Sequence, residues 1–531
     1  MKKKNLIIIF LLFEATILFY GNSFLGLFES SEARYAEVAR EMLETKDFIS
    51  PQMDYVYHFT KPPLTYYLTA LGMKIFGVNT FGVRFFVTIF ALFTLLIASK
   101  ISEEFGQNNI LTIFFLGSFP LFFVMAKVLT TDMFLTFFVT LGVYLFILYQ
   151  NGKISKRLFS VLFGVTLGMS ILTKGQVGII YFIMIFCGMA LFRKEFSKLK
   201  VFLSPLLWIL TLLSSGWWFL IVGFKHEGLL HYLFFKEAVE ASYSSKRFHP
   251  GPFYYYIPVL LGGLFPYWVL FPSIKRFKSN LRLKSLVGYT IFPFILFSLF
   301  PAKLPTYLLP STLGWAFLFG EKDGGRKKLL KIISLLLTIS LLFLFFLVYF
   351  EGEKYIGRKT DDAAIIFLIS ALFSFFAFLL SFKKSEEIVF SIIFVALLFS
   401  SLSIPTLINK NQEKFKIAKE TAFSIKENLR EEDEVLELRT TIFSIPFYLQ
   451  KKVYAFENNF FRKKFLKDKP NHILQGEEEL DKFIENTPYL WVVVDKKSEQ
   501  FFKEKYPTFA LYKEGERYIV YMSSTIKERL S

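Results

Sequence analysis

The stretch DMFLTFFVTLGVYLFILYQ, residues 132–150, carries one charged side chain, Asp132, at its first position. An apolar helical run of about 20 residues is the length that crosses a bilayer core. Runs of this kind recur along the chain. We read about thirteen spans, at 5–28, 82–101, 109–128, 132–150, 157–174, 177–193, 201–222, 253–272, 284–300, 304–320, 328–350, 363–382 and 386–405. The split between the fifth and sixth rests on Lys174, Gly175 and Gln176, which interrupt one long apolar stretch. The first span follows Lys2, Lys3 and Lys4 and is too long for a signal-peptide core, so it reads as a retained anchor.

Composition agrees. Of 531 residues, 53% are hydrophobic, 70 are Phe and only 20% are charged, which excludes a disordered chain. Cys187 is the single cysteine, which excludes a disulfide framework. The net charge of +18 is distributed by topology. With the N-terminus in the cytoplasm, the basic clusters Lys153–Arg157, Arg193–Lys200, Lys275–Lys284, Lys322–Lys328 and Lys383–Lys384 all fall in cytoplasmic loops. A nucleic-acid partner is therefore not expected.

An odd number of spans leaves the C-terminal segment outside. The chain divides into a transmembrane catalytic part, 1–408, whose first external loop is 29–81, and an extracytoplasmic α/β domain, 409–531. In the latter, Lys414–Leu429, Glu477–Glu485 and Ser498–Tyr506 have helical spacing. Glu434–Leu438, Val453–Phe456, Tyr489–Val494 and Arg517–Met522 read as strands. No catalytic constellation is legible there.

Polar residues gather on the external side. The run Glu29–Leu43 has helical spacing, with Tyr35, Val38, Met42 and Leu43 on one face. Ser30 or Ser31 would cap it, and Glu29 and Glu32 suit the positive end of its dipole. Arg34 would orient one of those acids. Lys61 precedes Pro62 and Pro63, which fix the backbone and start an apolar amphipathic helix lying at the membrane surface. Lys61 would then stand at headgroup depth, where a lipid phosphate sits. Asp132, Lys174 and Lys303 stand at the external ends of spans, and Thr130, Thr131 and Asp132 are all good helix caps. His226, His231 and His249 share one external loop, with a spacing that matches no standard zinc motif. The spans carry almost no central ionisable residues beyond Glu14 and Arg84, which argues against the alternative of a transporter or flippase of lipid-linked precursors.

An enzyme on that side of the membrane has no nucleotide supply, so an activated sugar must arrive on a polyprenyl phosphate. Its transfer needs cations to stabilise the departing phosphate and a carboxylate at the acceptor or at the oxocarbenium-like centre.

Several motifs resemble the aminoarabinose (4-amino-4-deoxy-L-arabinose) lipid A transferase family. They are Ser31-Glu32-Ala33-Arg34-Tyr35, Lys61-Pro62-Pro63-Leu64, Phe76-Gly77-Val78-Asn79 with Arg84, Thr131-Asp132-Met133, Thr173-Lys174-Gly175, His249-Pro250-Gly251-Pro252-Phe253 and Lys303-Leu304-Pro305-Thr306-Tyr307. They cover about 1–320 in matching order. The resemblance implies the GT-C glycosyltransferase fold, close to the protein O-mannosyltransferase-like group. It implies an inner-membrane enzyme with a periplasmic active site, which transfers a sugar from undecaprenyl phosphate to lipid A with inversion, and whose product confers polymyxin resistance. Glu32 and Asp132 match its catalytic carboxylates and Lys61 its carrier-phosphate lysine; Lys174, Lys303 and Tyr307 match further pocket positions. The family's Asp-Glu pair is Ser31-Glu32 here, so Glu29 is an alternative first-loop acid. His249 matches a metal-binding histidine, but its partner Glu is Thr60 here, which leaves a divalent metal open. A protein or another lipid, with a donor such as galacturonic acid, is the alternative acceptor reading.

Overall fold

In a bilayer the backbone must satisfy its own polar groups, so apolar runs close into helices. The computed structural model describes residues 3–29, 31–235, 250–271, 281–320, 326–356, 361–383, 386–457 and 470–531. Its first nine helices are α1 Lys3–Phe19, α2 Glu32–Thr45, α3 Leu64–Phe76, α4 Thr80–Glu104, α5 Asn109–Ser118, α6 Pro120–Met125, α7 Thr131–Gln150, α8 Lys156–Lys174 and α9 Gln176–Arg193.

Among the described residues, 8 helices are long and apolar enough to span, including α4, α7, α8, α9, Pro205–Lys225, Lys328–Gly352, Asp361–Leu380 and Ile388–Lys410. Asn5–Phe19, Asn109–Ser118 and Lys284–Leu299 are apolar but shorter. The count of about thirteen is not reached by this measure. Proline accounts for two of the differences. Pro120 divides the stretch expected at 109–128 into α5 and α6, and Pro305 and Pro310 hold Pro305–Ser311 in a tighter 3-10 turn before the short helix Thr312–Gly320. The expected break after Lys174 is present: Gly175 takes φ +61 and reverses the chain between α8 and α9.

The loop expected to be the first external one is ordered around α2. This helix starts at Glu32, three residues later than its spacing suggested, and Ser31 makes no side-chain cap bond. Nor is it amphipathic in place. Ala33, Tyr35, Ala36, Val38, Ala39 and Met42 are all buried, because α3 packs on one side of α2 and the helix Ser444–Leu449 on another. A two-stranded hairpin follows, β1 Gln52–Met53 and β2 Val56–Tyr57, and then α3. The turn into α4 is set by Gly77 at φ +86 and by Asn79, whose side chain caps α4 by accepting the Gly82 N–H.

The C-terminal segment forms a sheet of β3 Glu434–Leu438, β4 Tyr454–Phe456, β5 Ile473–Leu474, β6 Leu490–Asp495, β7 Ala510–Glu514 and β8 Tyr518–Met522, in the order β5-β4-β3-β6-β8-β7. The first four neighbours are parallel and the last two pairings antiparallel. Leu436, Leu438, Val492 and Val494 face a core closed by Leu480 and Phe502. Val435, Val493 and Val520 face the core shared with the rest of the molecule. The helix expected at Lys414–Leu429 is only Lys419–Lys426, after a 3-10 turn at Gln412–Phe415.

Helix α9 packs closely against Leu281–Leu299 through Gly188 and Gly288. A Cβ on Gly288 would lie 2.2 Å from the Gly188 carbonyl oxygen. Gly288→Ala should therefore cost roughly 1–3 kcal/mol and lower the thermal unfolding midpoint in detergent. Gly262→Ala, which meets nothing within 4 Å, should leave the midpoint almost unchanged.

Candidate functional site

Helix α7 begins with Thr130 as its cap, the hydroxyl accepting the Asp132 N–H at 3.3 Å. Asp132 is thereby freed from the capping role its position suggested. Its Oδ1 lies 2.5 Å from Lys174 Nζ at the end of α8. Both side chains are more than nine-tenths buried. The Lys174 ammonium also stands 4.8 Å from the centre of the Tyr307 ring. Tyr181, on α9, donates to the Tyr307 carbonyl at 2.5 Å and so fixes the start of the 3-10 turn that presents Tyr307. Asp132, Lys174 and Tyr307 thus come together from three separate parts of the chain.

Tyr35 brings α2 to the same place. Its ring lies 5.6 Å from that of Tyr66 on α3, and the Arg34 guanidinium stands 5.6 Å over it. Burial raises the Tyr35 hydroxyl above its ordinary pKa, opposed by Arg34 and Lys174 and helped by Asp132. Its proton therefore stays on at neutral pH, leaving a hydrogen-bond donor beside the ion pair.

Lys61 is half-buried in the loop before α3. That loop reaches the α8–α9 turn, where Pro62 Cγ lies 4.0 Å from the position a Cβ on Gly175 would take. Thr60 is bonded to His58 through Oγ1 and Nε2 at 2.7 Å. Lys303 is buried and donates to the carbonyls of Phe297 and Ser298 at 3.0 and 2.6 Å, closing the end of the helix Leu281–Leu299. Burial lowers its ammonium below the usual lysine pKa. The Pro250–Ala302 bridge seats Gly251 against Lys303. His249, adjoining that bridge, lies outside the described residues. Among the described residues, no group of three His, Cys, Asp or Glu side chains is arranged to hold a metal ion.

The first-loop acids go elsewhere. Glu32 is fully buried. Its Oε1 accepts from Arg84 Nε at 2.8 Å and from the Leu129 N–H at 2.9 Å; its Oε2 accepts from Arg84 Nη2 at 2.6 Å and from the Phe28 N–H at 3.0 Å. Arg84 also donates to the carbonyls of Leu25 and Gly26 at 2.7 and 2.8 Å. The guanidinium that orients this acid is therefore Arg84 of α4, not its helix neighbour Arg34. Glu29 accepts from the Ser444 N–H at 3.2 Å and from the Ser444 hydroxyl, which ties the first loop to the C-terminal segment.

Tyr66, Tyr181 and the Arg84–Glu32 pairing are site features that residue patterns did not single out. The available signal was Arg84 itself, since a cation in an apolar span needs a buried partner. The tyrosines carry no such signal in a chain with 26 of them.

Comparison with known proteins follows from this geometry. Residues 6–227 match the family described as dolichyl-phosphate-mannose-protein mannosyltransferase. An uncharacterized protein of Aquifex aeolicus is 30% identical over 357 residues, covering 65% of this chain and 68% of its own. The undecaprenyl phosphate-alpha-4-amino-4-deoxy-L-arabinose arabinosyl transferase of Wigglesworthia glossinidia brevipalpis is 28% identical over 430 residues, covering 76% and 74%. Among solved structures, ArnT from Cupriavidus metallidurans bound to undecaprenyl phosphate superposes with a TM-score of 0.84 over 98% of both chains at 19% identity, a likeness of fold.

Arg84→Met should strand the Glu32 carboxylate in the core and cost about 3–5 kcal/mol. Thermal unfolding in detergent would measure it, and the double variant Glu32→Gln/Arg84→Met should lose less than the two single changes summed.

Proposed function

The chain belongs to the aminoarabinose lipid A transferase family of GT-C membrane glycosyltransferases, and from that premise we propose that it moves a sugar, with inversion, from undecaprenyl phosphate to lipid A. The buried Asp132–Lys174 pair beside Tyr307, with the Lys61 loop against it, is the observation that carries the assignment of the site. Lys61 and Lys174 meet the carrier phosphate. As the bond from the sugar's anomeric carbon to the phosphate oxygen breaks, the electron pair leaves with that phosphate, and the two ammonium groups neutralise the charge that develops on it. An oxygen of the acceptor phosphate attacks the opposite face of the anomeric carbon. Being already anionic, it needs no base, which accords with Ser31 where the family has an acid.

Asp132 is the carboxylate of the reaction. It holds Lys174 in place and stabilises the positive charge on the sugar ring as the bonds exchange. Glu32, with both oxygens engaged by Arg84 and two main-chain N–H groups, works as a positioning residue: through Leu129 it fixes the turn that leads to Asp132. Glu29 joins the first loop to the C-terminal segment, and Lys303 shapes the loop that carries Tyr307. A divalent ion, if one is used, would be held through His249. The periplasmic placement of the site, its residence in the inner membrane and the division at about residue 408 belong to the same proposal, supported by the basic cytoplasmic loops. The match to protein mannosyltransferases favours one second reading, a protein acceptor.

Asp132→Asn and Lys61→Ala should each lower transfer by about a hundredfold or more while the protein stays folded. The measurement is mass spectrometry of lipid A and of membrane proteins after incubation of membranes with the carrier-linked sugar. Full activity in both variants would refute the site, and a labelled protein with unmodified lipid A would select the second reading.

A further inference from the structure

The surface where the C-terminal sheet meets the first external loop is built from acids. Glu437 stands on the sheet face that otherwise presents Val435, Val493 and Val520. Opposite it, α2 contributes Glu37 and Glu41, and the β1–β2 turn contributes Asp54. All four carboxyl groups are more than nine-tenths buried.

Among the described residues, Arg40 is the one buried guanidinium at these acids, and it is divided between Glu37, at 2.7 Å, and Glu44, at 2.5 Å. Lys452 acts on Asp54 only from the exposed edge. His472, just before β5, has Nε2 at 2.7 Å from the Asp54 carbonyl oxygen and 3.6 Å from its carboxylate. The remaining polar partners are N–H groups: Val453 to Asp54 Oδ1, Tyr55 to Glu41 Oε2 and Ile442 to Glu437 Oε2. Glu41 Oε1 is buried without a hydrogen-bond partner. Glu41, Asp54 and Glu437 cannot all stay ionised beside Glu37 with one shared guanidinium, because burial and like charges at close range raise their pKa values.

We propose that the C-terminal sheet seats on the first-loop helix only with at least one of these carboxyl groups protonated, so that the junction is a proton-set latch positioning α2. Because α2 also carries Tyr35, which stands beside Asp132 and Lys174, and Glu32, which holds the Leu129 turn, the latch governs how α2 meets the site. The direction of the proton linkage follows from burial. It pushes the Asp54 carboxyl up to about 8, and it raises those of Glu41 and Glu437 well above the usual range; Glu37 adds to all three, Asp54 to Glu41 and Glu437, and Glu29 to Glu437. A docked state that raises a carboxyl pKa takes up protons on docking, so it weakens as pH rises, the Asp54 share being lost as pH climbs from its ordinary value toward about 8. His472 acts in the opposite sense. Burial holds it neutral down to about 4, so its contribution is lost only as pH falls below its ordinary value. Between pH of about 6.5 and 8, therefore, only the carboxyl groups report.

The experiment is hydrogen exchange on the full-length protein in nanodiscs, with protection corrected for the intrinsic rate at each pH. Protection of α2 and of Ser444–Leu449 should fall by about tenfold between pH 6.5 and 8.5, while that of Asp361–Leu380 holds steady. Asp54→Asn or Glu437→Gln, each neutral and nearly isosteric, should flatten the fall, and flattening in either variant supports the latch. Unchanged protection of the wild-type junction across this range would overturn it, as would an equal fall in wild type and both variants. The readout does not involve sugar transfer, so it stands or fails apart from the proposed reaction.

Discussion

The bridge between Arg84 and Glu32 is the constraint on which the half of the molecule that carries the candidate site depends. One carboxylate accepts two guanidinium bonds from α4 and two main-chain N–H groups, one from the end of the first span's connection and one from the turn before α7. The same guanidinium gathers the carbonyls of Leu25 and Gly26. Three stretches of chain far apart in sequence, 25–32, α4 at Arg84 and the turn at Leu129, are thereby held at one point. A buried pair of this kind adds little net stability over a well-packed apolar substitute, but each partner compels the presence of the other. It defines where α2 lies, and hence where Tyr35 and Arg34 stand relative to Asp132.

Around that fixed point, Asp132 is met by Lys174, and the loop that carries Lys61 reaches the α8–α9 turn beside that pair. Ammonium groups at the ends of apolar helices suit a ligand with a phosphate head and a hydrocarbon tail. The tyrosines add oriented hydroxyls and ring faces without charge, and the Lys174 ammonium uses one such face directly.

Much of this was legible in the residues. Apolar runs marked the spans because bilayer crossing imposes length and composition together. The split after Lys174 was readable because glycine there permits a reversal no other residue takes easily. Glu434–Leu438 and Glu477–Glu485 coincide with a strand and a helix of the structure, since their patterning is strict and their flanks are polar. Where proline interrupts an apolar run, as at Pro120 and Pro305, hydropathy overestimated the helices, because it counts side chains and is blind to the missing N–H. Tyr66 and Tyr181 could not be chosen from among 26 tyrosines by any local pattern.

The amino-acid order by itself determined a multi-pass membrane protein, its basic loops, four of the six strands of the C-terminal segment and the set of polar side chains at the ends of spans. These are local properties, written in hydrophobic period and in loop charge. Which polar residue pairs with which was decided only in three dimensions. Glu32 found Arg84 rather than Arg34, Lys303 turned to the carbonyls of a neighbouring helix end, and Glu29 reached Ser444 across more than four hundred residues. Partners of that kind are selected by the packing of helices and by the cost of burying a charge alone, and neither is a property of any one segment.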